Sequence, residues 1–578
     1  MINENIDNSR KEKLEMKKMI TRIKQIVFAL FLIVATTSSI SAIDYSAEYN
    51  QLWSKQYGDV NIDQLVSVVQ TKDGGYVAAG SYEDLSTDIT YGWVMKIDKD
   101  GNEIWSNHYN LTSHFSMLYR VEETSDGGFI VAGVSYFDTA STEYGWLLRL
   151  DANGNEIWSN QYGIATSIEV LVSVKQTSDG GFIAAGYTDG TLPGNISYGL
   201  DDGWVLRVDA NGNEIWSNQY GSAGSDRIEG IIITDDNHFV AVGATTGSVT
   251  DGTLIGIEDG WMLKVDSSGN EVWSKQYGSP AVDTFNSIIQ TSTGNYLAVG
   301  QAGAAIGDNT FSGGVADTWL TEINPSGNEV WTKMYGSSGD DGLVDITSTK
   351  TGDYVAVGYT TGDMTITNLS ASSKMNSKAN IGGYDGLVLK VDSSGNLLWS
   401  NQYGTPETDV LEGVIQSADG SYVAVGYTQG SVTDGTNYGS FDGWILKLEG
   451  DLEYQLNFDA NGGTGKMNSI ELKRNTTITL PANSFTYKGY DFVGWSTDKN
   501  ATQNLIAGEN TIKNTIEYVD KGSYTHTATE DVTLYAVWQK VADQNDNDLP
   551  DTGNTVMSYI VILTVLSILV LWFRKKLI

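Results

Sequence analysis

The chain has 578 residues, 72 of them acidic against 35 basic, a formal net charge of −37 at pH 7 and no cysteine. That balance repels phosphate backbones and argues against a DNA or RNA partner, whose affinity comes largely from basic residues. The missing cysteine excludes disulfides, thiolate zinc sites and cysteine nucleophiles, and suits an exported protein that relies on core burial. At the N-terminus Lys17, Lys18, Arg22 and Lys24 precede an apolar run over 26–35, and small residues follow to Ser41 and Ala42. This order predicts a secretory signal over 1–42, with Met16 or Met19 as alternative starts.

From Trp53 to Leu448 one pattern recurs, marked by Trp53, Trp105, Trp158, Trp216, Trp273, Trp331 and Trp399 at spacings of 52 to 68 residues. Periods of this size indicate a solenoid, an array or a propeller. Each unit holds four short runs of β-branched and aromatic residues, in the first unit 64–71, 75–82, 92–98 and 103–109, and these predict strands. Asp73-Gly74-Gly75 and Asp100-Gly101-Asn102 supply the positive φ of tight hairpins, and the same chemistry recurs in later units. Four strands in meander order make a propeller blade. The first marker strand (52–57) lacks three predecessors, whereas the last unit has three strands and no fourth. The two fragments complete each other, which predicts an all-β, seven-bladed propeller over 43–450, closed by its N-terminal strand. An open solenoid is the alternative.

Leu150, Asp151, Asn153, Gly154, Asn155 and Trp158 resemble the Asp, Gly and Trp spacing of pyrroloquinoline-quinone-type propeller repeats. The resemblance implies that the Trp docks on the neighbouring blade. It does not carry over the quinone chemistry, since the cysteine pair and calcium site of those dehydrogenases have no counterpart here.

Phase places the short, uniform turns on one face of the ring and the variable loops 83–91, 187–203, 301–318 and 360–386 on the other, where recognition usually lives. Two carboxylate series lie on that face. Asp63, Asp226, Asp283, Asp341 and Asp409 follow by five residues the glycine ending a marker strand, and Asp202, Asp259, Asp317, Asp385 and Asp442 stand two before the residue opening the third strand. A ring of carboxylates could hold Ca²⁺ or a cationic ligand. The alternative is structural, because Asp at loop and strand starts commonly binds nearby backbone N–H groups. Among His108, His114, His238 and His526 no pair has metal-ligand spacing. No other cofactor is expected, and no nucleophile elbow or single carboxylate pair marks a catalytic centre.

After Gly450 the repeat stops. Residues 454–463, 489–497 and 533–538 together resemble the internalin B-repeat, also called the Listeria-Bacteroides repeat, which implies a small β-grasp-like domain over 451–540 with Phe492, Trp495, Tyr535 and Trp538 in its core. An insertion over 506–529 departs from the usual pattern. An acidic linker, 541–548, leads to Leu549, Pro550, Asp551, Thr552 and Gly553, an apolar run over 556–573 and Arg574-Lys575-Lys576. That run is long enough to span a hydrocarbon core, and the basic tail resists crossing. The order resembles the sorting signal of Gram-positive LPxTG surface proteins. It implies cleavage between Thr552 and Gly553 by a sortase and transfer to a peptidoglycan cross-bridge, with 549–578 as the signal and 556–573 as a transmembrane helix used before sorting. An ordinary tail anchor is the alternative.

The expectation from these elements is a non-catalytic cell-wall protein, held at the extracellular face of a Gram-positive-type bacterium, whose propeller loop face binds a glycan, a matrix protein or another cell. The rival is an exported carbohydrate-active enzyme with a carboxylate pair in the propeller channel.

Overall fold

The computed structural model describes residues 51–111, 115–137, 142–364, 381–450, 453–473, 477–501, 516–528 and 531–541. The signal at 1–42, the sorting signal 549–578, most of the linker, His114 and the stretch 365–380 lie outside these residues. Among the described residues no helix is long and apolar enough to cross a membrane.

Seven four-stranded antiparallel blades form the first unit. Their innermost strands are Ile62–Gln70, Phe115–Glu123, Glu169–Gln176, Asp226–Ile233, Asp283–Gln290, Asp341–Ser348 and Asp409–Gln416. The seventh blade is completed by the N-terminal strand Gln51–Tyr57, which pairs antiparallel with Asp442–Leu448 and sets Ser54 opposite Leu446 and Tyr57 opposite Gly443. The expected closure is therefore present, and it leaves the last blade without the missing fourth strand that would expose an edge.

Observed strands extend further toward the variable face than the β-rich runs suggested. Their first residues are held by pairing with the next blade, a long-range constraint that a local pattern does not show. In the first blade, Tyr76–Asp84 and Ile89–Ile97 pair as far as Asp84 opposite Ile89, so 83–91 is a hairpin extension and not a long loop. Asp88 turns it with φ of 58°, and Asp84 accepts the Ser86 N–H at 2.9 Å.

Two tryptophan series lock the blades together. The third-strand residues Trp93, Trp146, Trp204, Trp261, Trp319 and Trp444 are almost fully buried, and each indole N–H donates to a hydroxyl of the outermost strand, such as Ser159 or Thr332. Each ring lies against a third-strand position of the preceding blade. A Cβ on Gly260 would come within 2.7 Å of Trp319, and one on Gly443 within 2.7 Å of Trp93. Blades five and six depart together from this rule: Thr318 replaces the glycine where Leu387 replaces the tryptophan. One side of the junction has grown as the other shrank, which keeps the volume filled. The marker tryptophans dock on the next blade, as the quinone-type resemblance implied: Trp158 Nε1 donates to the Ala210 carbonyl at 3.2 Å, and Trp273 Nε1 to that of Pro325 at 3.1 Å.

On the uniform face, third-strand cations meet the first turn of their own blade. Lys96–Asp73, Arg149–Asp126, Arg207–Asp179, Lys264–Asp236, Lys390–Asp353 and Lys447–Asp419 are ion pairs of 2.6–3.0 Å. Asp73, Asp126 and Asp179 are held down to about 2, mainly by hydrogen bonds from the paired cation or the turn threonine.

The second unit forms a four-stranded sheet in which Glu453–Asp459 pairs parallel with Val532–Lys540, flanked by Ile470–Lys473 and Tyr490–Ser496, plus a two-stranded piece. Trp495 is fully buried among Leu456, Leu480, Phe485 and Leu534, with Phe492 and Trp538 packed on them. Tyr535 departs from the expectation. Strand alternation turns it to the opposite face, half-buried, where Lys499 approaches its ring.

Candidate functional site

All ten aspartates of the two series stand at the junctions between blades, on the variable face, and are buried. The structure brings them together in pairs. The backbone N–H of Asp63 donates to the Phe441 carbonyl, that of Asp226 to Asp201, Asp283 to Glu258, Asp341 to Ala316 and Asp409 to Tyr384, all at 2.8–2.9 Å. Each bond ties one member of the first series to the residue before a member of the second. The resulting neighbours are Asp63 with Asp442, Asp226 with Asp202, Asp283 with Asp259, Asp341 with Asp317 and Asp409 with Asp385. The remaining junctions use Tyr91 with Ser116 and Tyr144 with Glu169.

Within each pair, one carboxylate oxygen is anchored by loop N–H groups. Asp226 accepts from Ser222 N, Asp202 from Tyr198 N and Gly199 N, and Asp442 from Tyr438 N. The other oxygen often has no donor among the described residues, as for Oδ1 of Asp63 and Asp442, and of Asp385 and Asp409. Burial pushes Asp63 up to about 7 and Asp341 and Asp385 to about 6, with the neighbouring carboxylate adding to each shift. Burial likewise raises Asp202, Asp226, Asp283, Asp317, Asp409 and Asp442, and lifts Glu169 to about 7. Among the described residues no three His, Asp or Glu side chains are placed to hold a metal ion.

The long loops lean outward. The loop after Phe182–Thr188 is tied to the outermost strand of its own blade by Leu192 N to Gln219 Oε1 at 2.8 Å and by Asn195 Nδ2 to the Ser217 carbonyl at 2.8 Å. Gln276 and Gln56 hold the corresponding loops of blades four and seven. Among the described residues, strands line the axis.

There the seven innermost strands enclose a cavity of about 640 Å³. Each strand carries a bulge in the same register, and the bulged residues are Val66, Tyr119, Val172, Glu229, Asn286, Val344 and Glu412. A bulge re-aims its side chain; three of the seven are valine and two glutamate, while Tyr119 and Asn286 occur once each. Nearer the variable face the wall holds Gln64, Met117 and Arg227, with Tyr187 and Tyr427 from the second strands. One residue past the bulges, Arg120 of blade two reaches Asp345 of blade six at 3.1 Å. These blades are not neighbours, so the ion pair crosses the axis and forms a floor. Asp345 also accepts from Ser287 Oγ at 2.7 Å and Val414 N at 3.0 Å, tying blades five and seven to the same point.

The charges in the cavity do not balance. Arg227 donates to Asp201 through Nε and Nη2 at 3.0 and 2.8 Å and lies over the Tyr187 ring, Lys175 pairs with Glu122 at 2.8 Å, and Arg120 is used by Asp345. Glu229 and Glu412 have no hydrogen-bond or ion-pair partner among the described residues. Burial raises both to about 7; Glu229 feels Arg227 and Glu258, and Glu412 feels Asp345. Neither was singled out from the sequence. The signal available was the alignment of the seven inner strands, in which Glu-Gly stands only at 229–230 and 412–413. His108 lies elsewhere, on an outermost strand, stacked on Tyr82 with ring centroids 3.9 Å apart.

Residues 454–537 match the family profile of the Listeria-Bacteroides repeat domain. No curated protein matches the chain. Among solved structures the chain is similar to a virginiamycin B lyase from Staphylococcus aureus with quinupristin, at 11% identity and a TM-score of 0.38 over 68% of this chain and 98% of that one. It is also similar to YCF48 bound to D1 peptide, at 10% identity and a TM-score of 0.35 over 70% and 97%, and to a puromycin hydrolase, at 9% identity and a TM-score of 0.38 over 74% and 60%. Enzymes and a peptide-bound protein thus stand side by side in this comparison, and the propeller assignment rests on the strand pairing itself. The second unit is a Listeria-Bacteroides repeat domain, set after a seven-bladed propeller.

Proposed function

We propose that the chain is a surface protein of a Gram-positive-type bacterium, exported by its leader and joined to peptidoglycan through Thr552, whose propeller binds an extracellular ligand without transforming it. The observation that carries the binding part is the axial cavity. Its scaffold repeats sevenfold while the bulged positions of its lining break that repeat, with Tyr119, Glu229, Asn286 and Glu412 set among valines, which is how a symmetric frame acquires a specific site. A wall that mixes aliphatic, aromatic and polar side chains suits a glycan or an exposed protein segment. The Listeria-Bacteroides repeat domain then lies between this site and the wall attachment in sequence. Two tests apply. The chain from Ile43 to Lys540 is offered to glycan and protein arrays with and without Ca²⁺, and saturable capture supports binding whereas silence on both arrays removes it. Thr552→Ala should shift the protein from the covalent wall fraction to membrane or medium, and covalent retention would refute sortase anchoring.

A catalytic reading has one observation in its favour, the two unpaired acids Glu229 and Glu412 on the cavity wall. They stand on blades four and seven and respond to different neighbouring charges, so they do not behave as one coupled pair. Product analysis of any captured glycan decides: release of shortened sugars, abolished by Glu412→Gln, would establish an enzyme.

A further inference from the structure

Within that reading of the cavity as a binding site, we infer that it takes a ligand through primary alkylammonium groups, received at Glu229 and at Glu412 on separate parts of the wall above the Arg120–Asp345 floor. Among the described residues, every cation lining the cavity is already committed to a carboxylate: Arg120 to Asp345, Lys175 to Glu122 and Arg227 to Asp201. The two glutamates are the uncompensated remainder, so the empty cavity carries about two negative charges when both are ionised. Transferring a carboxylate from water into such a site is costly unless a counter-charge meets it. An anionic ligand would add to the imbalance, and a neutral one would leave it.

The walls narrow the class further. Arg227 over Tyr187, with centroid distance 4.9 Å, shows that the rim tyrosines already accept a cation on their faces. Tyr427, the equivalent residue of blade seven, lies near Glu412 and stands edge-on to Phe441, their centroids 5.4 Å apart. Val66, Val172 and Val344 stand at the same bulged level as the glutamates and suit a methylene stem. An alkylammonium combines such a stem with a compact charge and three donors. A lysine side chain, an amino sugar and a free diamine share this chemistry.

Glu229 is faced by Arg227, Glu258, Tyr119 and Tyr187, and Glu412 by Asp345, Tyr359 and Tyr427, with Arg120 beneath. Both acids are pushed up to about 7, so binding should strengthen as pH rises through that value and protonation releases the ligand below it.

The test is calorimetric titration of the full chain in detergent with 1,5-diaminopentane, Nα-acetyl-lysine methylamide and glucosamine, which separate the three sources, and with 1,5-pentanediol as the uncharged control. At pH 8 at least one amine should saturate while the diol does not, weakening at least tenfold at pH 5.5. Glu229→Gln and Glu412→Gln should each weaken it at least fivefold, with circular dichroism unchanged. Equal titration by amine and diol, an unchanged affinity in the double Gln variant, or no amine binding at 10-fold above a millimolar would overturn the ammonium assignment. The binding reading itself falls only if the arrays are also silent; array capture of a neutral or acidic ligand would keep that reading and sink this inference.

Discussion

Along each innermost strand, the position three residues before the bulge faces the neighbouring blade and the bulged position itself faces the axis. Around the ring the first is Asp in five blades, whereas the second runs Val66, Tyr119, Val172, Glu229, Asn286, Val344 and Glu412. The strands have the same fold, pairing and register, so the difference cannot come from what the backbone needs. Junction carboxylates repeat because every junction poses the same problem, how to tie a loop N–H and a parallel bridge at a buried edge. Axial residues vary because each blade contributes a different part of one site. In a ring of repeats, repetition marks structure and its breaks mark recognition.

Removing the closing strand is the severest way to break the comparison, because it attacks the ring on which both regions depend. Deleting residues 51–57 strips the seventh blade of its outermost strand, including the Ser54 hydroxyl that accepts from Trp444 at 2.9 Å and Gln56, which bonds the Gly430 carbonyl and Asp442. Loss of a single cooperative thermal transition, with association through the exposed Asp442–Leu448 edge, is expected in calorimetry and size-exclusion chromatography. An unaltered monomeric transition would mean that closure contributes little.

Junction chemistry should show itself in pH. The buried pairs hold protons more tightly folded than unfolded: Asp341 and Asp385 rise to about 6 and Asp63 to about 7 from an ordinary value of 3.8. The native state therefore binds more protons between roughly pH 4 and 7, and stability falls as pH rises through that window. The turn aspartates Asp73, Asp126 and Asp179 act oppositely, stabilising above about 4 and losing that contribution as pH falls toward 2. A maximum in melting temperature between about pH 4 and 6 follows. Asp385→Asn, which keeps the shape and supplies a permanent donor, should raise stability at pH 8 by on the order of 1–3 kcal/mol and flatten the profile. A maximum at pH 8 would contradict the raised affinity of the buried aspartates for protons.

The blade-five departure offers a subtler probe. Restoring the tryptophan alone, Leu387→Trp, overpacks against Thr318 and should cost about 1–3 kcal/mol. Adding Thr318→Gly should recover most of it, giving a coupling that a denaturation cycle measures directly. Additive losses would show that the two departures are unrelated.

The smallest expected effect on stability is the most informative for the axis. At pH 5, where Glu412 is protonated, Glu412→Gln should leave stability within about 0.5 kcal/mol of wild type, and at pH 8 it should raise it, because an unpaired buried charge is removed. A loss as large as that from the junction tryptophans would make the axial wall structural too.

The scaffold was legible because its signals are local and repeated. Asp-Gly turns, the tryptophan period and the orphan strand at each end determine blade count, phase and closure. The pairing of the ten aspartates was not, because their neighbours lie a loop away and the parallel bridge between blades has no periodic signature. Tyr535 was misplaced since the aromatic content of 533–538 says which residues are large, not which side of a twisted strand they occupy. The axial glutamates were missed for the reverse reason: attention to what repeats hides the position at which Glu229 and Glu412 differ from their equivalents.

The most direct test of the account sets the axis against the rim in one assay. With the ligand captured on the arrays, affinities are measured for the wild-type chain, for Glu229→Gln with Glu412→Gln, and for a chain whose 365–380 stretch is replaced by a short glycine-serine link. The account predicts at least a tenfold loss in the axial variant and an affinity within twofold of wild type in the trimmed one. Loss on trimming with full binding in the axial variant would place recognition on the loops and contradict it.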